Sequence, residues 1–258
     1  MNNSFKTICD GLYNLGLKKG DTVFVHSSLK SMGNVEGGAI TVIDALKEVV
    51  GESGTVLFPA FSFSVCSSKY FSYNDTPSCV GFISETFRKL DGVVRSMHPT
   101  HSASAYGKNA VELTKDHYLD DTPVGANSPL RKLPKLGGKI LMLGCPFASN
   151  TFMHGMEEVA NAPYALKDVA DEYTLEDKNG NKTKKLIRGH YFVRPEGNII
   201  QHYERALNVL ELNKDYFLGD VHGAKCALID TVALQEKAVQ KMKEEPLYFV
   251  DDPSGILK

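Results

Sequence analysis

Three stretches of the chain set reactive side chains at spacings that could serve a reaction. In 150–158, Asn-Thr-Phe-Met-His-Gly-Met-Glu-Glu, His154 precedes Glu157 by three residues. Residues i and i+3 share a helix face, so the carboxylate can fix the imidazole tautomer and stabilise the imidazolium formed on proton uptake. The bland alternative is a solvent-facing pair at a helix start. In 95–102, Arg-Ser-Met-His-Pro-Thr-His-Ser, His98 and His101 lie close to Arg95 and Ser102. They could position a substrate, or one could be a histidine hydrogen-bonded within a buried loop. A metal needs at least a third protein ligand, and no HExxH-type set is present, so no metal site is expected. In 26–38, Gly37 and Gly38 stand just before a helical pattern. Free N–H groups and the positive end of the helix dipole there favour a phosphate. The spacing fits neither GxGxxG nor GxxxxGK[ST], and an ordinary βα loop is the competing reading. Cys145, beside Gly144, invites a nucleophile, but a small buried hydrophobe is the plainer role.

The elements that must position these groups are legible in outline. Residues 5–16 carry Phe5, Ile8, Leu12 and Leu15 at helical spacing and end at Gly16. Residues 22–26 and 55–59 are short β-branched runs that predict buried strands, with a helix between them over 39–50. A third buried strand is expected over 139–144, after Gly137-Gly138. This order predicts an α/β core. Residues 61–80 read as irregular and 81–90 as a helix; Ser128-Pro129 suits another helix start. Asn179-Gly180 marks a hairpin. A helix is expected over 198–210, a mixed segment over 217–228 and a helix over 231–244. The expected organisation is one domain over 1–258, with a motif-bearing core in 1–165 and a hairpin and helical elaboration in 166–258.

The composition excludes several classes. The chain has 258 residues and is 42% hydrophobic and 23% charged, close to a soluble globular average and large enough to fold without staples. Lys plus Arg (29) nearly balances Asp plus Glu (31), so no nucleic-acid partner is expected. No apolar run approaches a membrane span, and no charged leader precedes an apolar core, so neither a membrane nor a signal peptide is expected. Five scattered cysteines without CxxC suit reduced thiols in the cytoplasm.

Taken in order, the segments resemble the aminoglycoside 3-N-acetyltransferase family, the antibiotic N-acetyltransferase fold that is unrelated to the GNAT enzymes. The resemblance is carried by Val25-His-Ser-Ser-Leu-Lys-Ser-Met-Gly33 with Val35-Glu-Gly-Gly38, by Gly54-Thr-Val-Leu-Phe-Pro-Ala-Phe-Ser62, and by Thr76-Pro-Ser78 with Gly81-Phe-Ile-Ser-Glu-Thr-Phe-Arg88. It continues in Arg95–Ser102, in Gly125-Ala-Asn-Ser-Pro-Leu130, and in 137–144 followed by Thr151-Phe-Met-His154-Gly-Met-Glu157. It implies a mixed sheet flanked by helices, acetyl-CoA as co-substrate with no metal, and a small-molecule amine as acceptor. It implies His154 as general base with Glu157 orienting it, and CoA contacts from Ser27, Ser28, Leu29, Lys30, Ser31, Val35, Gly37, Gly38, His101, Ser102 and Ser128. The acceptor would be an amino group of an aminoglycoside or related amino sugar, or of an amino sugar in surface-polysaccharide or natural-product biosynthesis. Lys182, Lys184 and Lys185 would repel a polycation if they lined the acceptor cleft, whereas Asp168, Asp171 and Glu172 would attract one. An acyl-CoA or amide hydrolase using Cys145 or Ser27, and a non-catalytic CoA-binding protein, are the competing classes.

Overall fold

The computed structural model describes residues 2–257. The labelled elements, in chain order, begin with α1 (Asn3–Leu15), β1 (Thr22–Ser27), α2 (Gly38–Val50), β2 (Thr55–Pro59), β3 (Tyr70–Ser72) and α3 (Phe82–Arg88). Next come β4 (Val94–Arg95), β5 (Ala103–Gly107), β6 (Lys139–Leu143), α4 (Phe152–Ala160), β7 (Asp171–Glu176) and β8 (Lys182–Ile187). The chain finishes with β9 (Tyr216–Val221), β10 (Ala224–Asp230) and α5 (Thr231–Glu244).

A seven-stranded sheet runs β9-β10-β6-β1-β2-β5-β4. Its centre, β6-β1-β2, is parallel, and the flanking pairs are antiparallel. Successive strand side chains point to opposite faces, and both faces are buried. Val23, Val25, Leu141, Leu143 and Leu228 join one core, with α1 and α2; Phe24, Ile140, Met142 and Ile229 join the other, with α4 and α5. This explains why the strands read as continuous apolar runs rather than alternating ones. The mixed α/β fold is the one expected. A three-stranded sheet, β3-β7-β8, stands apart over its own small core of Val65, Phe71, Tyr173, Leu175 and Ile187. The hairpin expected at Asn179-Gly180 is the β7–β8 turn, with Gly180 at φ 85°.

The structure differs from the sequence reading in three places. The segment 61–80, read as irregular, holds a helical turn at Val65–Ser68 and strand β3, which pairs with β7. The segment 217–228 forms the β9–β10 hairpin, so the stretch after 166 completes the main sheet as well as elaborating it. Its turn, His222-Gly223, has positive φ at both residues (50° and 79°), as tight hairpin turns of the mirror-image type need. The strain at His222 is offset locally: Nδ1 bonds to the Met32 carbonyl (2.8 Å) and Nε2 to Ser4 Oγ (3.0 Å). The helix expected over 198–210 is a 3-10 segment, Tyr203–Asn208.

Candidate active site

Strand β6 ends at Gly144, and after a short 3-10 turn the chain enters α4. Gly144 sits at φ 69°, and a Cβ there would lie 2.8 Å from Ser31 Cβ, so only glycine lets this bend approach the 27–38 loop so closely. Helix α4 is held against the 120–131 segment. Glu158 Oε2 accepts from Thr122 Oγ1 (2.6 Å) and Oε1 from the Val124 N–H (2.8 Å). Gly155 leaves room for Val124 and Arg131, which a Cβ would meet at 2.8 and 2.9 Å. Burial pushes the Glu158 carboxyl up.

The first turn of α4 brings His154 and Glu157 together as the spacing suggested. His154 Nδ1 lies 3.0 Å from Glu157 Oε2, and the Glu157 side chain is 0% exposed. A third member comes from far along the chain. Tyr203 donates its hydroxyl to both Glu157 oxygens (3.0 Å each), and the same oxygen stands 2.8 Å from His154 Nδ1. Burial, then the Glu157 charge, hold the Tyr203 phenol well above its ordinary range, so it stays a donor. With Nδ1–H directed at the carboxylate, the lone pair of the neutral ring lies on Nε2. The ring packs against two aromatic neighbours that also touch each other: Phe192 (centroids 5.3 Å apart) and His190 (4.1 Å), themselves 5.4 Å apart. His154 opens on a cavity of about 310 Å³ whose wall includes Phe63, Cys66, His101, Tyr173 and His190. Lys69 and Lys167 also line it, and both pair with Asp171 (3.1 and 3.0 Å). A second cavity of about 240 Å³, sharing Phe63, is lined by His26, Ser27, Cys145, Ser149 and Thr151. Ser27 thus borders one cavity and His154 the other, with Phe63 in the wall of both.

The loop residues divide. Ser27 Oγ is buried without a hydrogen-bond partner among the described residues. Ser31 donates to Ser28 Oγ (2.9 Å), within or just before the 3-10 turn Leu29–Met32. Lys30 and Ser31 are exposed, whereas Val35 is buried in the α1–α2 core. Gly37 is the N-cap of α2 in the left-handed region (φ 80°), with no side-chain cap on the helix. Of the first-turn amides, the Gly38 N–H donates to the Val35 carbonyl (2.9 Å); the others have no side-chain cap, which suits an anion. His101 lines the cavity with His154, not the loop. Ser102 and Ser128 are buried and line neither cavity. Ser102 instead accepts from Arg95 Nε (3.0 Å) and donates to the Ala60 carbonyl (2.8 Å). Arg95, pushed down to about 9 by burial, spends its other donors on the Tyr73, Thr76 and Ala60 carbonyls. It holds in place the segment that carries Phe61 and Phe63. His98 is structural: Nδ1 accepts from the His101 N–H (3.0 Å) and the ring stacks on His117 (4.8 Å). Burial keeps His26 and His117 down at about 3 and His98, His101 and His190 well below the ordinary range. Cys145 is pushed up to about 12, chiefly by burial, which removes the thiolate a nucleophile needs. Sequence reading missed Tyr203, His190 and Phe192. All three follow the segment with recognisable motifs, and nothing in their local spacing marks them.

The fold and site define a mixed α/β protein with a histidine, oriented by a buried carboxylate and a tyrosine, in the wall of a cavity. Comparison with known proteins narrows this class. The profile of the family described as Aminoglycoside 3-N-acetyltransferase matches residues 24–243, and the chain belongs to that family. It is 38% identical over 168 residues to aminoglycoside N(3)-acetyltransferase VII of Streptomyces paromomycinus, an alignment covering 58% of each chain. The alignment thus spans less than two thirds of that relative's length. Solved structures align over nearly the full chain. AAC-IIIb in binary complex with CoASH superposes with a TM-score of 0.78 at 26% identity, covering 93% of this chain and 96% of that one. A substituted form of AAC(3)-IVa in complex with a gentamicin gives a TM-score of 0.81 at 27% identity, covering 98% and 94%.

Proposed function

We propose that this chain is an acetyl-CoA-dependent N-acetyltransferase that acetylates an amino group of an aminoglycoside or related amino sugar. The observation that carries this reading is the His154–Glu157–Tyr203 set, with Nδ1 tied to the carboxylate and Nε2 left basic at the cavity wall. His154 Nε2 takes the proton from the acceptor nitrogen as that nitrogen attacks the thioester carbonyl. The carbon–sulfur bond then breaks, the His154 imidazolium returns the proton to the departing sulfur, CoA leaves as the thiol, and no acyl-enzyme forms. Glu157 and Tyr203 stabilise the imidazolium; they do not touch substrate. The AAC-IIIb complex with CoASH supports CoA as donor. In this chain the 27–38 loop suits it, with the uncapped α2 amides, the exposed Lys30 and the unpartnered Ser27 hydroxyl beside the smaller cavity. A cytoplasmic setting, where acetyl-CoA is supplied and thiols stay reduced, belongs to the same reading, as does a single 1–258 domain.

A second acceptor class rests on one observation. Lys69 and Lys167 flank Asp171 in the His154 cavity, so the local charge does not favour a polycation. An amino sugar bearing an anionic group, as in polysaccharide or natural-product biosynthesis, fits that wall. The raised Cys145 thiol argues against the hydrolase reading.

The test mixes the protein with acetyl-CoA and a panel of amines, aminoglycosides beside nucleotide-linked amino sugars, and follows thiol release. His154→Ala is expected to lose about 10²–10⁴-fold in turnover while keeping CoA affinity. Turnover at the native level in that variant removes His154 from the mechanism, and CoA binding without transfer to any amine favours a binding protein.

A further inference from the structure

His101, His154 and His190 come from three separate segments, and one nitrogen of each lies within 4.8 Å of the others. We infer that this trio is a transition-metal site whose occupation by zinc shuts off His154 as a base. The sequence separation is why no ligand motif announces it.

The ring orientations match what metal-ligating histidines require. Such a histidine commonly uses its second nitrogen for a carboxylate or other oxygen acceptor, which fixes the ring and frees the first. His154 Nδ1 is held by Glu157 at 3.0 Å, and His101 Nδ1 lies 2.8 Å from Thr100 Oγ1. That leaves Nε2 of both rings as the nitrogen free to take a metal. His190 Nε2 is buried with no hydrogen-bond partner among the described residues. Imidazole nitrogens on tetrahedral zinc sit about 2.0–2.1 Å from the metal and so roughly 3.3 Å apart. The trio must close by up to about 1.5 Å relative to its observed 4.8 Å limit. The His190 backbone is tied to the 165–167 segment by a bridge to Leu166, with the Lys167 N–H on the Gly189 carbonyl (2.9 Å) and the Tyr191 N–H on the Ala165 carbonyl (3.0 Å), so rotation of the three rings must supply that movement. The charge of the ion would be balanced by the buried Glu157 and by Glu158, whose Oε1 stands 3.8 Å from His190 Nε2. The fourth coordination position faces the 310 Å³ cavity and would hold water.

Zinc and the acceptor proton compete for the same His154 lone pair. The metal is therefore inhibitory and reversible. The inhibition rests on the acetyltransferase reading, but the binding does not.

The test is a zinc titration of the full chain against a chromophoric chelator at pH 7.5. One equivalent is expected to bind, with His101→Ala and His190→Ala each weakening it at least about 10-fold. Cys66→Ser, at the same cavity, should leave it unchanged. Imidazole ¹⁵N spectra of the unsubstituted protein give a readout independent of variant folding: resonances of His101, His154 and His190 should shift together and saturate at one equivalent. Thiol release should fall with the same midpoint and recover on adding EDTA. Binding that is absent in the unsubstituted chain, unaltered by both histidine variants, or lost in Cys66→Ser overturns the site. Full transfer activity with zinc bound overturns the inhibition. If no amine is acetylated at all, the titration and spectra still decide the site, so the two readings fail separately.

Discussion

Acidification is expected to unfold this protein well above the usual carboxylate range, because five histidines are buried as neutral rings. His26, His98, His101, His117 and His190 are all held below the ordinary value of 6.5, in each case chiefly by burial. In the unfolded chain each ring titrates near 6.5, whereas in the fold His26 and His117 resist protonation to about pH 3. Below 6.5 the unfolded state therefore binds more protons than the native state, and stability falls as pH falls, through the window from 6.5 down to about 3. Each ring contributes about 1.4 kcal/mol per pH unit, so the set gives roughly 7 kcal/mol per unit. Against a typical domain stability of about 5–15 kcal/mol, the acid midpoint should fall between about pH 4.5 and 6. Urea unfolding followed by circular dichroism at pH 7.5, 6.5, 6.0 and 5.5 measures the slope. His117→Gln, remote from the cavities, should reduce it by about one proton. A slope of fewer than about two protons between pH 6.5 and 5.5 would show that these rings are charged or solvated in the fold, and the burial argument would fail.

Two further outcomes follow from the site. Tyr203→Phe removes the donor to both Glu157 oxygens and should lower kcat by about 10–100-fold, or roughly 1.4–2.7 kcal/mol, with CoA affinity and the melting temperature nearly unchanged; an equal loss in CoA binding would mean that the hydroxyl only supports packing. Iodoacetamide at pH 7.5 should label the exposed Cys66 and Cys79 and spare the buried Cys9 and Cys226 and the up-shifted Cys145; rapid alkylation of Cys145, read by peptide mass spectrometry, would revive the nucleophile.

What could be read in the sequence was what local spacing encodes. The β1–α2–β2 and β6–α4 units follow from apolar runs punctuated by glycine, and His154 and Glu157 meet because one helical turn separates them. What could not be read depends on chain return. Tyr203 reaches Glu157 across 46 residues, and His190 reaches His154 from a loop after β8. The β9–β10 turn escaped because His222 takes a conformation that Asn or Gly normally fills, compensated by contacts to Met32 and Ser4 that no local pattern displays. Among the residues expected to contact a cofactor, Ser102 is taken by Arg95 and Ala60, since a buried hydroxyl in a motif serves the backbone as readily as a ligand.

Strand β6 is interior only because β10 lies along it. A chain shortened at residue 165 would leave the edge of β6, a run of Ile140, Leu141, Met142 and Leu143, unpaired and open to other chains. The same cut would remove Tyr203 from the His154–Glu157 pair. The protein is therefore not modular in the way its motifs suggest. Exchanging the C-terminal part between relatives to transplant acceptor preference would have to carry over a sheet partner and a catalytic support as well, and recombination that ignores either should yield aggregates rather than hybrids.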